Sequence, residues 1–156
     1  MVARLLAERL QVSAVDLDAT VEAEEGATIA ELFERRGEAH FRARETQALE
    51  RALADSAGVI ACGGGVVIDP KNRAMLERCH TVWLEVEPET AAERMGALAG
   101  TRPLLAAGLP ATRIATLLAE RRALYEAAAR ARVRTTGRDA SEVAEAVLAT
   151  LDGAPR

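Results

Sequence analysis

The sequence predicts an α/β domain with a mainly parallel sheet, and three observations carry that prediction. Helical and strand-like segments alternate along the 156 residues, a pattern that goes with parallel strands. Gly58-Val59-Ile60-Ala61-Cys62 is a continuous apolar run of strand length. Apolar residues make up 49% of the chain and aromatics only 3%, so the core must be aliphatic. A chain of this length suits one domain and is too short for two ordinary ones.

Val2, Leu5, Leu6, Arg9 and Leu10 fall at helical spacing, so a helix is expected over 2–10. It starts at the first residue with no capping group ahead of it, and the beginning therefore reads as cut. Ala14-Val15-Asp16-Leu17-Asp18 is a short strand that ends in two acids. Residues 20–25 form a helical turn closed by Gly26. Thr28 and Glu31 make a capping box for a helix whose apolar face holds Ile29, Leu32 and Phe33. Gly37 interrupts that helix, and a longer one runs over about 38–54 with Phe41, Leu49 and Leu53 at apolar positions. The strand at 58–62 stops at Gly63-Gly64-Gly65. Asp69-Pro70 starts a helix to about 78, and 81–86 is a further strand. Pro88 opens the next helix, where its missing N–H costs nothing. Residues 96–109, rich in Gly, Ala and Leu around Arg102-Pro103, read as a loop or flexible flap. A long helix over about 111–130, a strand at 131–135, a turn at Gly137-Arg138 and a helix over about 139–151 complete the chain. Four strands are counted, with helices on both faces. A ligand is expected at the strands' carboxyl ends, where both the acids and the glycines fall.

Several function classes are excluded early. Acidic residues number 24 and basic residues 20, a balance with no basic footprint for nucleic acid. Cys62 and Cys79 have no CxxC spacing, which argues against a zinc or disulfide framework and for a reducing cytoplasm. His40 and His80 are too scattered for a histidine-rich metal site. The opening MVARLLAERL interleaves positives with leucines and is not a signal peptide, and no apolar run is long enough to span a membrane.

The candidate chemistry is concentrated in a few residues. Asp16 and Asp18 stand two apart at a strand end. One suits a water on Mg²⁺ and the other a substrate hydroxyl, while capping of a following helix is the plainer alternative. Gly63, Gly64 and Gly65 offer close backbone approach and freedom in φ, so their N–H groups suit a ligand carboxylate or hydroxyl; a tight turn is the alternative. No GxxxxGK[ST] phosphate loop occurs anywhere in the chain. Nineteen of the twenty basic residues are arginine, and Lys71 is the single lysine. Arg42 lies three residues before Glu45 on one helical face, where the acid can hold it in a fixed pose. Arg102 sits in the apolar flap, Arg121 four residues before Tyr125, and Arg138 in the last turn. Arginine suits bidentate carboxylate recognition and phosphate clamping, although each taken singly also fits a solvated surface. Arg35, Arg36, Arg51, Arg73 and Arg78 are read as surface. Phe33 and Phe41 are either helix packing or a hydrophobic wall beside a small substrate.

These residues, in this order, resemble the shikimate kinase family over residues 2–151. The specific combination is Asp16-Leu17-Asp18, Ile29 to Phe33, Gly37-Glu38, Phe41-Arg42 with Glu45, Gly63-Gly64-Gly65, Arg102-Pro103-Leu104-Leu105, and Arg121 before Leu124-Tyr125. The resemblance implies a single P-loop, nucleoside-monophosphate-kinase-like domain, with a parallel sheet flanked by helices. It implies transfer of the ATP γ-phosphate to the 3-hydroxyl of shikimate in aromatic amino-acid biosynthesis. By the same resemblance, Asp16 helps hold Mg²⁺ through water, and Asp18 binds shikimate hydroxyls and serves as the base. Arg42 and Arg121 clamp the carboxylate, with Glu45 orienting Arg42. The three glycines bind shikimate near the γ-phosphate, and Phe33 and Phe41 form the wall. Arg102 is the arginine of a lid over 96–109, and Arg138 lies on the adenine side. The implied partners are shikimate and ATP, with neither nucleic acid nor membrane, in a cytoplasmic monomer.

The pattern departs from the family at one end. Its opening interior strand and GxxGxGK[ST] loop, about fifteen residues, have no counterpart, and Lys71 lies on a different helix. Without that strand the sheet must close up or stay open on unpaired N–H and C=O rows. The expectation is a poorly stable chain that turns over little ATP, best explained by a start codon placed too far downstream. Met95 and Ala123 stand where the family often has arginine and proline. Two other readings remain open: a related small-molecule kinase such as gluconate kinase, and a non-catalytic shikimate-binding protein that has lost its nucleotide site.

Overall fold

A computed structural model describes residues 1–97 and 111–151. Helix α1 spans Val2–Leu10 and ends at Gln11 in the left-handed conformation, φ 57°. Strand β1 is Ala14–Asp16. Helix α2, Leu17–Glu25, closes on Gly26 at φ 61°. Helix α3, Ile29–Ala54, opens with the expected capping box: Thr28 Oγ1 accepts from Glu31 N–H at 3.3 Å, and Glu31 Oε2 accepts from Thr28 N–H at 2.9 Å. Gly37 breaks α3 with φ 79° and ψ 168°, so two helices meet there at a kink.

Strand β2, Val59–Ala61, leads through the glycines into a short 3₁₀ turn, Val66–Ile68. Helix α4 is Pro70–Leu76, with Asp69 as its cap, and strand β3 is Val82–Glu85. Helix α5 is Pro88–Ala97, α6 is Ala111–Ala128, and strand β4 is Ala131–Arg134. Helix α7, Ala140–Leu151, carries a second reciprocal cap that the sequence reading missed: Asp139 Oδ1 accepts from Glu142 N–H at 2.9 Å and Glu142 Oε2 from Asp139 N–H at 2.8 Å.

The strands are parallel, as expected, but they do not form one four-stranded sheet. β1 pairs with β2 in the register Ala14 opposite Val59, and β3 pairs with β4 in the register Val82 opposite Ala131. Among the described residues no ladder joins β2 to β3, and each of these strands has one bonded neighbour. Leu84 of β3 is 40% exposed.

Two apolar clusters hold the halves. One gathers Leu6 of α1, Val133 of β4 and Val143, Ala144 and Val147 of α7, with Val59 of β2 and Val82 of β3 packed against it. It therefore touches both pairs of strands. The other gathers Leu17 and Val21 of α2, Leu32, Phe41 and Leu49 of α3, Val66 and Val67 of the 3₁₀ turn, Leu76 of α4 and Ala128 of α6. Leu17, Val21 and Leu49 have no exposed surface.

Two further expectations need correction. The first strand stops at Asp16, and Asp18 sits in the first turn of α2, so the two acids do not share a strand. Asp16 is the helix cap, its Oδ1 accepting from Ala19 N–H at 3.3 Å. The flap expected at 96–109 starts too early, because α5 runs to Ala97; its remainder, with Arg102, lies outside the described residues.

Gly37 offers a clean stability test. A Cβ there would meet nothing within 4 Å, yet its φ and ψ belong to a region open essentially to glycine alone. Gly37→Ala is expected to lower unfolding stability by about 1–3 kcal/mol through backbone strain. Chemical denaturation reads this, and an unchanged midpoint would refute it.

Candidate functional site

The three glycines after β2 face three different elements. A Cβ on Gly63 would stand 3.3 Å from Asp18 Oδ1 and 3.5 Å from Glu45 Oε1. One on Gly64 would stand 3.1 Å from the Tyr125 hydroxyl. One on Gly65 would overlap the guanidinium of Arg42. None of the three adopts a positive φ. The expected freedom in φ is thus unused here, and what the site needs is the missing side chain. Val66 N–H donates to Gly63 O at 3.1 Å and Ile68 N–H to Gly65 O at 3.0 Å, which curls the chain out of β2. Arg73 then donates to Val67 O at 2.7 Å and Ile68 O at 2.9 Å. Arg73 is therefore a brace for this turn, not the plain surface residue expected.

Arg42 rests on that turn, held by two acids of its own helix. Its Nη1 donates to Glu45 Oε2 at 2.8 Å, and its Nε and Nη2 donate to Glu38 Oε1 at 3.3 and 3.2 Å. The Glu45 partner matches the expectation, and Glu38 was missed although it lies at the helical i−4 position. The guanidinium carbon also lies 5.2 Å from the Phe41 ring centroid. Glu45 is 1% exposed, and its other oxygen, Oε1, has no hydrogen-bond partner among the described residues. Burial pushes the Glu45 carboxyl above the usual carboxylate range, Arg42 pulls it back, and the nearby charge of Asp18 adds to the rise.

Phe33 and Phe41 meet across the Gly37 kink, ring centroids 5.1 Å apart. Phe41 is 3% exposed and belongs to the core, so helix packing accounts for it; Phe33 is partly buried at the edge of the same cluster. On α6, Tyr125 Oη donates to Gly64 O at 2.7 Å. Arg121 lies one turn earlier on that helix, about 6 Å along its axis. It has no hydrogen-bond or ion-pair partner among the described residues.

The remaining candidates are spread out. Arg138 is exposed in the turn before α7, where its N–H donates to Thr135 O at 3.2 Å. Arg94, one residue before Met95 on α5, donates to Thr135 Oγ1 at 3.0 Å and to Thr135 O at 2.9 Å. Lys71 Nζ pairs with Glu50 at 2.6 Å on the surface between α4 and α3. No group of three His, Cys, Asp or Glu side chains among the described residues is placed to hold a metal ion. Asp16 alone, already capping α2, suits no more than a water-mediated contact to a divalent cation held by other groups.

The raised Glu45 pKa has a signed consequence. A folded-state carboxyl above its unfolded value binds protons more tightly when folded, so its contribution to stability is present below about pH 4.5 and is lost as pH rises through the raised value. The stability of wild type relative to Glu45→Gln is expected to fall from pH 4 to pH 7. Denaturation of both proteins across that range tests it, and a flat or rising difference would refute it.

Comparison with known proteins supplies the wider setting. The family model described as shikimate kinase matches residues 1–152. A shikimate kinase of Streptomyces avermitilis is 44% identical over 151 residues, covering 97% of this chain and 87% of the relative. One of Frankia casuarinae is 44% identical over 146 residues, and there the match covers 94% of this chain but 64% of the relative's length. Among solved structures, shikimate kinase from Acinetobacter baumannii in complex with shikimate superposes with a TM-score of 0.88 at 34% identity, covering 96% of this chain and 84% of that one. No helix among the described residues is long and apolar enough to cross a membrane. The parallel strands, the flanking helices and these matches agree: the chain belongs to the shikimate kinase family of ATP-dependent phosphotransferases.

Proposed function

We propose that this chain recognises shikimate at the triple glycine and takes part in its ATP-dependent phosphorylation. Arg42 and Arg121 clamp the carboxylate, the one pre-set by Glu45 and Glu38, the other unpaired among the described residues. Asp18, facing Gly63, accepts hydrogen bonds from ring hydroxyls and takes the proton of the hydroxyl that attacks phosphorus. The glycine N–H groups border the path of the transferred group, and Phe33 closes one side of the ring. The carrying observation is Gly65, where only the absence of a Cβ lets a guanidinium lie against the turn.

The nucleotide side rests on less of this chain. Its 156 residues contain no GxxxxGK[ST], and the one lysine is engaged by Glu50 elsewhere. The described residues do not build a triphosphate cradle. Arg102 over the phosphates and Arg138 by the adenine are assigned from sequence pattern alone. The unjoined edges of β2 and β3 support the reading that a phosphate-binding strand and loop, outside these residues, pair between them in the active protein. A cytoplasmic monomer is the accompanying proposal.

Calorimetric titration tests the acceptor half. The chain is expected to bind shikimate saturably and gluconate not at all. Arg42→Ala and Arg121→Ala should each weaken shikimate binding roughly 10- to 100-fold, as loss of a charged hydrogen bond does. Equal affinity for gluconate would point to a related small-molecule kinase instead.

A coupled ADP-release assay tests the other half. The 156-residue chain is expected to turn over ATP negligibly with shikimate. Fusion of a strand and a GxxGxGK[ST] loop ahead of α1 is expected to restore transfer. Robust turnover without the fusion would overturn the reading. A fused protein that binds shikimate but stays inert would favour a non-catalytic shikimate-binding role.

A further inference from the structure

We infer that Tyr125 is a positioning residue that fixes the triple-glycine turn relative to the helix carrying Arg121, with Trp83 as its buttress. The inference rests on reading the site as a carboxylate clamp. Tyr125 Oη donates to Gly64 O at 2.7 Å, and a Cβ on Gly64 would crowd that hydroxyl at 3.1 Å. The bond needs the hydroxyl, and the bare glycine leaves it room.

The tyrosine is itself held. Its ring stacks on Trp83 with centroids 5.4 Å apart and planes 21° from parallel. Trp83 stands on β3, with the guanidinium carbons of Arg122 and Arg132 at 5.6 and 5.4 Å from its ring centroid. Both arginines pair with Glu85 at 3.2 Å, two residues along on the same face of β3. Trp83 lies directly opposite Arg132 in the ladder. Tyr125 is thus mounted on the β3–β4 pair, while the turn it grips grows out of β2.

The consequence lies in one peptide plane. In a trans peptide the C=O of one residue and the N–H of the next point in opposite directions. With Gly64 O tied to Tyr125, the Gly65 N–H is aimed away from that hydroxyl. Gly65 is also the seat of Arg42. One hydrogen bond therefore sets the direction of a backbone donor and the spacing of the two arginines, one on α3 and one on α6. No ladder joins β2 to β3, so this bond is a tie between the two halves of the sheet at the site itself.

The test is Tyr125→Phe, which keeps the ring on Trp83 and removes only the hydroxyl. Three readouts are taken on the full chain. Amide exchange at Val66 and Ile68, whose N–H groups close the turn, is expected to accelerate several-fold while residues 59–61 of β2 keep their protection. Shikimate affinity is expected to fall roughly 3- to 10-fold, the worth of one neutral hydrogen bond. Affinity for shikimate methyl ester, which offers no carboxylate to the arginines, is expected to stay within about twofold of wild type, well short of one hydrogen bond.

Unchanged exchange at Val66 and Ile68 would overturn the inference. So would an equal loss for shikimate and its methyl ester, because that marks general loosening and not the spacing of a clamp. A wild-type chain that binds neither compound, with exchange still accelerated in the variant, would refute the shikimate reading and leave the turn's dependence on Tyr125 standing. A double-mutant cycle of Tyr125→Phe with Arg121→Ala adds a check. Coupling well above zero is expected, and strict additivity would overturn the positioning role.

Discussion

A guanidinium lying flat against a glycine is the contact on which the rest of the site depends. Arg42 can occupy that place only because Gly65 presents no side chain. Once there, the charge must be balanced in a poorly hydrated position, and Glu45 and Glu38 supply the balance from the same helix. Glu45 in turn is almost wholly buried, so its own ionisation depends on Arg42 staying in place. Arginine, acid and glycine are three parts of one arrangement, and none can be exchanged alone without stranding a charge or forcing a collision.

The second constraint is the open sheet. Backbone groups along the inner edges of β2 and β3 lack ladder partners in these residues. What spans the opening is the apolar cluster of α1 and α7, which reaches Val59 on one side and Val82 on the other. Hydrophobic packing is tolerant of shape, whereas a hydrogen-bond ladder fixes register. The two halves are therefore held at the right distance by one kind of force and aligned at the site by another, the bond from Tyr125 to Gly64.

What could be read from the sequence follows the range of the interactions. The Thr28–Glu31 cap, the break at Gly37, the strand before the glycines and the Arg42–Glu45 pair all involve residues a few positions apart, and each was legible. Asp18 was misplaced by a local competition: Asp16 caps a helix that starts one residue later, and that pulls Asp18 out of the strand pattern. Arg73 looked like a surface cation because nothing nearby in sequence hints that its target is a pair of carbonyls in the preceding turn. The bond between Tyr125 and Gly64 crosses 61 positions, and no periodicity encodes a contact of that reach.

Trp83 and Tyr125 are the chain's one tryptophan and one tyrosine, and they are stacked on each other. Nearly all of the near-ultraviolet absorption of this molecule therefore arises at a single joint. Its circular dichroism above 270 nm and its intrinsic emission describe the joint between β3 and α6 and little else. Melting curves read from the near-ultraviolet or from emission accordingly track the loosening of that joint, whichever part of the fold gives way first.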